Sequence, residues 1–164
     1  MSEARVLLVD DDPALLQALP EVLRLRMAAL TVDTAGSAAT ALDRIADRDY
    51  DAVVTDIKMP GMDGLTLLAE IRTRRPDTAT LIITGHGEHE LVVRALRGGA
   101  CDFIQKPIDR DYFVAALYRA IRAHVRNRRV KDRQVALESC ADELERIVQK
   151  LERELPAMPR TGES

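Results

Sequence analysis

Val53-Val54-Thr55-Asp56-Ile57-Lys58-Met59-Pro60-Gly61-Met62-Asp63-Gly64 is the stretch on which the reading of this chain turns. Three apolar or β-branched residues run into a lone aspartate, and the chain then turns through Pro60, Gly61 and Gly64. A short apolar run punctuated in this way reads as a buried strand followed by a loop. Asp56 therefore falls at the carboxyl end of a strand, where open α/β sheets place their ligand sites. Most aspartates at such positions only cap a turn. What distinguishes Asp56 is the set of polar residues that end the other strands.

Upstream, Arg5-Val6-Leu7-Leu8-Val9 is a short apolar run of the kind that forms a central parallel strand, and it ends in Asp10-Asp11-Asp12. Pro13 opens the next helix, at a position where its missing N–H costs nothing. Leu15, Leu16, Leu19, Val22, Leu23 and Leu25 carry the helical stripe. Pro20 inside that helix predicts a kink or a loosened first half. Leu30 to Thr34 alternates, as a strand near an edge does, and Ser37 is placed to cap the helix that follows.

Downstream, a helix over Leu65 to Ile71 leads to the β-branched strand Thr80 to Thr84, broken at Gly85-His86-Gly87. A short helix over Glu90 to Arg97 ends at Gly98-Gly99. Cys101 to Ile104 reads as the last strand, with Lys106-Pro107 after it and Cys101 as a small buried residue. Five strands alternating with helices imply a parallel sheet with right-handed crossovers.

From Asp109 to about Leu155 there is no Gly or Pro, and the chain reads as one long helix. Tyr112, Phe113, Ala116, Leu117 and Ile121 are spaced to pack on the sheet. Residues 119–133 hold seven Lys or Arg against one Asp. Leu137, Leu144 and Leu151 are seven apart, with Cys140 and Ile147 between them, which is a coiled-coil seam suited to parallel dimerisation. Cys140 on that seam could link two copies by a disulfide. The competing reading is an amphipathic helix folded back on its own domain. The expected division is a globular domain over 1–123, a helical extension over 124–155 and a disordered tail over 156–164.

Composition sets bounds on these readings. The chain has 164 residues and a net charge of −3, with no global pull toward nucleic acid or anionic membrane. Aromatics are scarce and Trp is absent, which argues against a stacking surface for single-stranded nucleic acid. The two cysteines have no metal-binding spacing and fit a reduced setting. The N-terminus lacks the apolar length of a signal peptide, and no segment approaches a membrane span. The expectation is a soluble cytoplasmic protein.

If the first and third strands are neighbours, Asp10, Asp11 and Asp56 meet at one sheet edge. Unpaired, they would raise one another's pKa, and a hard divalent cation such as Mg²⁺ resolves that repulsion. Thr84 and Lys106 end the fourth and fifth strands on the same edge. A hydroxyl and an ammonium beside a metal and a carboxylate make a holder for a transferred phosphoryl group. Each part alone is weak, but five polar residues at the ends of four strands form a joint pattern.

With these pieces in view, residues 4 to about 122 resemble a response-regulator receiver domain of two-component (phosphorelay) signal transduction. The resemblance rests on LLVDDDP at 7–13, VVTDIKMPGMDG at 53–64, LIITGHG at 81–87 and GGACDFIQKPI at 98–108, in that order and spacing. It implies a flavodoxin-like doubly wound α/β fold with strand order 2-1-3-4-5. It also implies that a histidine kinase or phosphotransfer protein passes a phosphoryl group to Asp56, which becomes a 4-aspartylphosphate. Mg²⁺ is then held by Asp10, Asp11, Asp56 and the Lys58 backbone carbonyl. Asp12 is a third acid where the family pattern needs two; Asp10 and Asp11 are taken as the pair because Asp11 then precedes the helix start by two residues.

By the same resemblance Thr84 moves to the phosphoryl oxygens, Lys106 pairs with them, and Phe103 is the aromatic that swings inward as Thr84 moves. Lys58 and His86, two positions beyond Asp56 and Thr84, flank the path of attacking water and tune the lifetime of the phosphoryl group. Pro107 follows a cis peptide bond. The implied protein is a phosphoacceptor, not a dedicated enzyme, though it catalyses its own phosphorylation and dephosphorylation. It would act through protein contacts of the receiver and a homodimerising helix. Two alternatives remain: a DNA-binding regulator using the basic helix 119–133, which lacks partners arranged for base readout, and a dimeric scaffold with a degenerate receiver.

Overall fold

The computed structural model describes residues 3–155. The expectation for 156–164 lies outside them. Ten elements follow one another: β1 (Ala4–Val9), α1 (Pro13–Arg26), β2 (Leu30–Ala35), α2 (Ala38–Asp47), β3 (Ala52–Asp56), α3 (Gly64–Arg74), β4 (Ala79–Thr84), α4 (His89–Arg97), β5 (Asp102–Gln105) and α5 (Arg110–Glu154). The five strands form one parallel sheet in the order β2-β1-β3-β4-β5. The expected doubly wound sheet is therefore the observed one. Among the described residues, contacts divide the chain into two compact units, 3–127 and 128–155.

The helix starts follow from local chemistry. The Asp12 carboxylate accepts from Ala14 N–H and caps α1, with Pro13 in the first turn. Ser37 accepts from Thr40 N–H at the start of α2, and Asp63 accepts from Thr66 N–H at the start of α3. Asp109 accepts from Tyr112 N–H just ahead of α5.

Successive strand side chains point to opposite faces, so the sheet feeds two cores. Val6, Leu8, Val54, Leu81 and Ile83 pack with Leu19 and Leu23 of α1 and with Phe113 and Leu117 of α5. Leu7, Val9 and Val53 meet Ala41 and Ile45 of α2 and Leu67 and Ile71 of α3 on the other face. Every residue of β3 and β4 is buried, while β2 is mostly half-buried at the sheet's edge.

Helix α1 holds Pro20 inside it, buried together with Leu19 and Leu23. One local expectation is corrected. Cys101 lies outside β5 and is exposed. The tight turn after Gly98-Gly99 tucks Ala100 inward, and the Cys101 N–H donates to Thr80 O.

Tyr50 is buried beside the edge strand, and its hydroxyl donates to Asp33 Oδ2 at 2.7 Å. Burial, then that carboxylate, pushes the phenol up to about 12 from its ordinary 10.0. The unfolded chain thus ionises first as pH rises. The contribution of Tyr50 is complete below pH 10 and is lost as pH climbs through about 12. Tyr50→Phe should cost about 1 kcal/mol at neutral pH, and the gap to wild type should shrink over that alkaline window. Urea titrations at neutral and alkaline pH measure both.

In the second unit, the described residues 128–155 are exposed along their whole length. Among the described residues no helix is long and apolar enough to cross a membrane.

Candidate functional site

The carboxyl ends of β1, β3, β4 and β5 converge because the parallel sheet points all of them the same way. Strand β1 delivers Asp10 and Asp11, and its neighbour β3 delivers Asp56, with Val9 paired to Thr55 in register. Carboxylate oxygens of Asp10, Asp11 and Asp56 all lie within 4.8 Å of one another. Asp10 is 1% exposed and Asp56 6% exposed, whereas Asp11 is open to solvent.

Asp10 Oδ1 accepts from Asp12 N–H at 2.9 Å, but its Oδ2 is buried with no hydrogen-bond partner among the described residues. Burial lifts the Asp10 carboxyl above its ordinary 3.8, against the pull of the Asp12 N–H; the charge of Asp56 adds to the rise and that of Lys106 opposes it. Apart from the Lys106 ammonium at 3.7 Å, no donor faces this oxygen among the described residues, and with the two neighbouring carboxylates it makes a donor set that suits a hard cation. Asp12 turns away from this group to cap α1.

Lys106 reaches in from the end of β5. Its ammonium donates to Asp56 Oδ2 at 2.9 Å and lies 3.7 Å from Asp10 Oδ2. Burial acts against its charge, but the hydrogen bond and attraction of Asp56 and Asp10 prevail and hold its pKa above 10.5. The Lys106–Pro107 peptide bond is cis. Thr84, buried at the end of β4, donates its hydroxyl to Gly85 O at 3.3 Å. Phe103 is half-buried at the margin of the cluster formed by Ile57, Leu68, Ile82 and Ala95.

Around the rim, His86 is exposed and its Nδ1 lies 3.0 Å from Gln105 Nε2. Lys58 is exposed and pairs with Glu88 Oε1 at 3.2 Å. The other oxygen of Glu88 accepts from Gly85 N–H at 2.9 Å. Glu88 thus joins the β3–α3 loop to the β4–α4 loop. Sequence reasoning misses Glu88; an acid four residues past Thr84 in a glycine loop is its only signal.

Two more positions are missed in the same way. The Thr55 hydroxyl donates to Asp56 O at 2.9 Å, bracing the strand end from within. His124 of α5 is buried, bonds through Nδ1 to Asp77 O, and places Nε2 3.4 Å from Asp51 Oδ1 at the opposite end of β3. Its partners are distant in sequence, so no local pattern marks it.

Sequence and fold comparisons agree with this sheet topology. The C4-dicarboxylate transport transcriptional regulatory protein DctD of Pseudomonas aeruginosa is 43% identical over 121 residues, covering 73% of this chain and 26% of that protein. Transcriptional regulatory protein FixJ of Azorhizobium caulinodans is 40% identical over 109 residues, covering 66% of this chain and 51% of that one. The chain spans about a quarter to a half of the length of these curated relatives. Among solved structures, a response regulator receiver domain protein from Clostridium thermocellum superposes with a TM-score of 0.69 at 31% identity, covering 73% of this chain and 94% of that one. NtrX from Brucella abortus gives 0.73 at 36% identity, covering 80% of this chain and 30% of that one. Residues 6–118 match the family described as the response regulator receiver domain, and with five carboxyl-end polar groups gathered on a β2-β1-β3-β4-β5 sheet, this chain belongs to that family.

Proposed function

We propose that this chain is a phosphoacceptor switch of two-component signalling, with Asp56 as the residue that accepts the phosphoryl group. The observation that carries this reading is Asp56 itself: nearly buried, acidic, held by Lys106 at 2.9 Å and flanked by Asp10 and Asp11. An Asp56 carboxylate oxygen attacks the phosphorus of a phosphohistidine on the donor kinase or phosphotransfer protein. The P–N bond breaks, an acyl phosphate forms, and the departing imidazole takes up a proton.

Asp10, Asp11, Asp56 and the Lys58 carbonyl would hold Mg²⁺. The orphaned Asp10 Oδ2 and three clustered carboxylates suit a hard cation that keeps several waters. When bound, the ion supplies positive charge against the phosphoryl oxygens. Lys106 contributes the second cation and would exchange its Asp56 contact for the new phosphoryl group. Thr84 would swing its hydroxyl from Gly85 O toward that group, and Phe103 would fill the space behind it.

Lys58 and His86 tune access of water, and Glu88, by fixing Lys58, shares that task. The output is a shift in a two-state equilibrium at the face formed by α4, β5 and the start of α5. Val93 and Leu96 are exposed there, and Tyr112 OH bonds the Asp102 carboxylate. Residues 128–155 pair two copies. The basic stretch 119–133 is not our choice for a DNA contact: Arg119 pairs with Asp102, Arg122 stacks on Tyr118 and His124 is buried.

Incubation with a small acyl phosphate and Mg²⁺, followed by mass spectrometry, tests the reading. Wild type should gain one phosphoryl group on Asp56, and Asp56→Asn should gain none while keeping its fold by circular dichroism. Labelling at another residue would sink the assignment.

A further inference from the structure

Residues 128–155 present an apolar stripe that none of the described residues covers. Val130, Leu137, Leu144 and Leu151 are each more than half exposed, and so are Val148 and Leu155. Those four residues are spaced by seven, and counted as d positions they make Gln134, Ala141, Val148 and Leu155 the a positions. Cys140 and Ile147 then fall at g. Val130 lengthens the seam to the three or four repeats that define a coiled coil.

The same helix is polarised in charge. Residues 128–133 hold four Arg or Lys against one acid, while 138–154 hold six Asp or Glu against three Arg or Lys. Two copies side by side in the same direction would lay basic block on basic block. They would also stack Ala141 on Ala141, leaving the middle of the seam thin, and set Ile147 against a glutamate. Each of these is a cost.

Reversal removes all three. We infer that two copies of this chain pair through residues 128–155 as an antiparallel coiled coil, the basic start of one helix lying along the acidic end of the other. In this register Val130 meets Leu155 of the second copy, Leu137 meets Val148, and Ala141 meets Leu144, a small residue on a large one. At the flanks Arg133 faces Glu154 and Lys131 faces Glu152, each pair occurring twice by symmetry. Cys140 packs on Ile147, apolar on apolar, and not on its own copy. Two mismatches remain, Gln134 opposite Leu151 and Glu138 near Glu145; Gln134 Nε2 already donates to Glu138 within its own helix.

This orientation rests on the dimer reading proposed above and refines it, since a heptad of leucines alone reads most simply as parallel. The test is spin-label distance measurement on full-length Arg129→Cys, in a Cys101→Ser, Cys140→Ser background, with mass by light scattering on the same sample. At 1.5 Å rise per residue the two labels lie about 40 Å apart in the antiparallel pair and under about 20 Å in a parallel one. A dimer with the long distance supports the inference. A dimer with the short distance overturns the orientation and leaves dimerisation standing. A monomer without dipolar coupling overturns both. Arg133→Glu and Glu154→Arg should each weaken the dimer about three- to tenfold, and the double variant should recover it; failure to recover counts against the register.

Discussion

Gly64→Ala is expected to be the most damaging single-methyl change in the receiver, costing more than about 3 kcal/mol and abolishing cation binding in whatever still folds. Gly64 opens α3 directly behind the end of β3, and its N–H donates to Ile57 O at 2.7 Å. A Cβ there would stand 2.1 Å from Asp56 O, 2.8 Å from Ile57 Cα and 2.9 Å from Asp56 C. All three are backbone atoms, so no rotamer change relieves the clash. The only escape moves the strand end that carries Asp56. Ordinary overpacking costs roughly 1–3 kcal/mol because side chains give way; here the loop itself must give. Gly36→Ala is the matched control, since an added Cβ there meets nothing within 4 Å. Urea unfolding of the two variants should separate them widely, and a midpoint for Gly64→Ala equal to wild type would falsify the close-approach account.

Asp10→Asn should do the reverse to stability and equal harm to the site. Without divalent cations it should stabilise the fold by about 1 kcal/mol at pH 7, because a buried carboxylate oxygen with no donor is replaced by a neutral amide. With Mg²⁺ present the ranking should invert, as wild type gains binding energy that the variant cannot; the variant's affinity should drop at least about tenfold. The pH dependence follows from the raised carboxyl. Because the folded pKa lies above 3.8, the unfolded chain ionises first. The stability contributed by Asp10 is full below pH 3.8 and is lost as pH rises through the folded value, whereas the variant shows no such loss. Thermal melts with chelator and with Mg²⁺, across that acidic range, read out both effects. Equal melting curves in chelator would show that Asp10 is not strained. Such a trade, in which a functional site carries a cost to the fold, is common where like charges must be held together.

Much of the molecule is legible in its residues alone. Runs of apolar or β-branched residues in β1, β3 and β4 announce a parallel sheet, because strands covered on both faces can hold little else. Ser37 marks a helix start by the hydrogen bond that a short polar side chain offers to a free N–H group. The gathering of Asp10, Asp11, Asp56, Thr84 and Lys106 follows from their shared place at carboxyl ends of strands.

Other features depend on the fold. Local propensity disfavours Pro20 inside a helix, yet α1 holds it there, buried together with Leu19 and Leu23. Cys101 reads as strand core, yet one residue of phase in a tight turn puts Ala100 inside and Cys101 out. Asp12 leaves the acid pair open, and only the start of α1 draws its carboxylate to Ala14 N–H. Glu88 and His124 carry no local signature because their partners lie on other elements.

Sequence by itself thus determined the alternation of elements and the chemistry available at the strand ends, both of which depend on spacing along the chain. Tertiary structure alone decided which oxygen of Asp10 lacks a donor, which carboxylate Lys106 holds and how closely Gly64 crosses behind Asp56. Those are distances of a few ångströms between segments far apart in the chain, and packing of the whole sheet and its helices sets them.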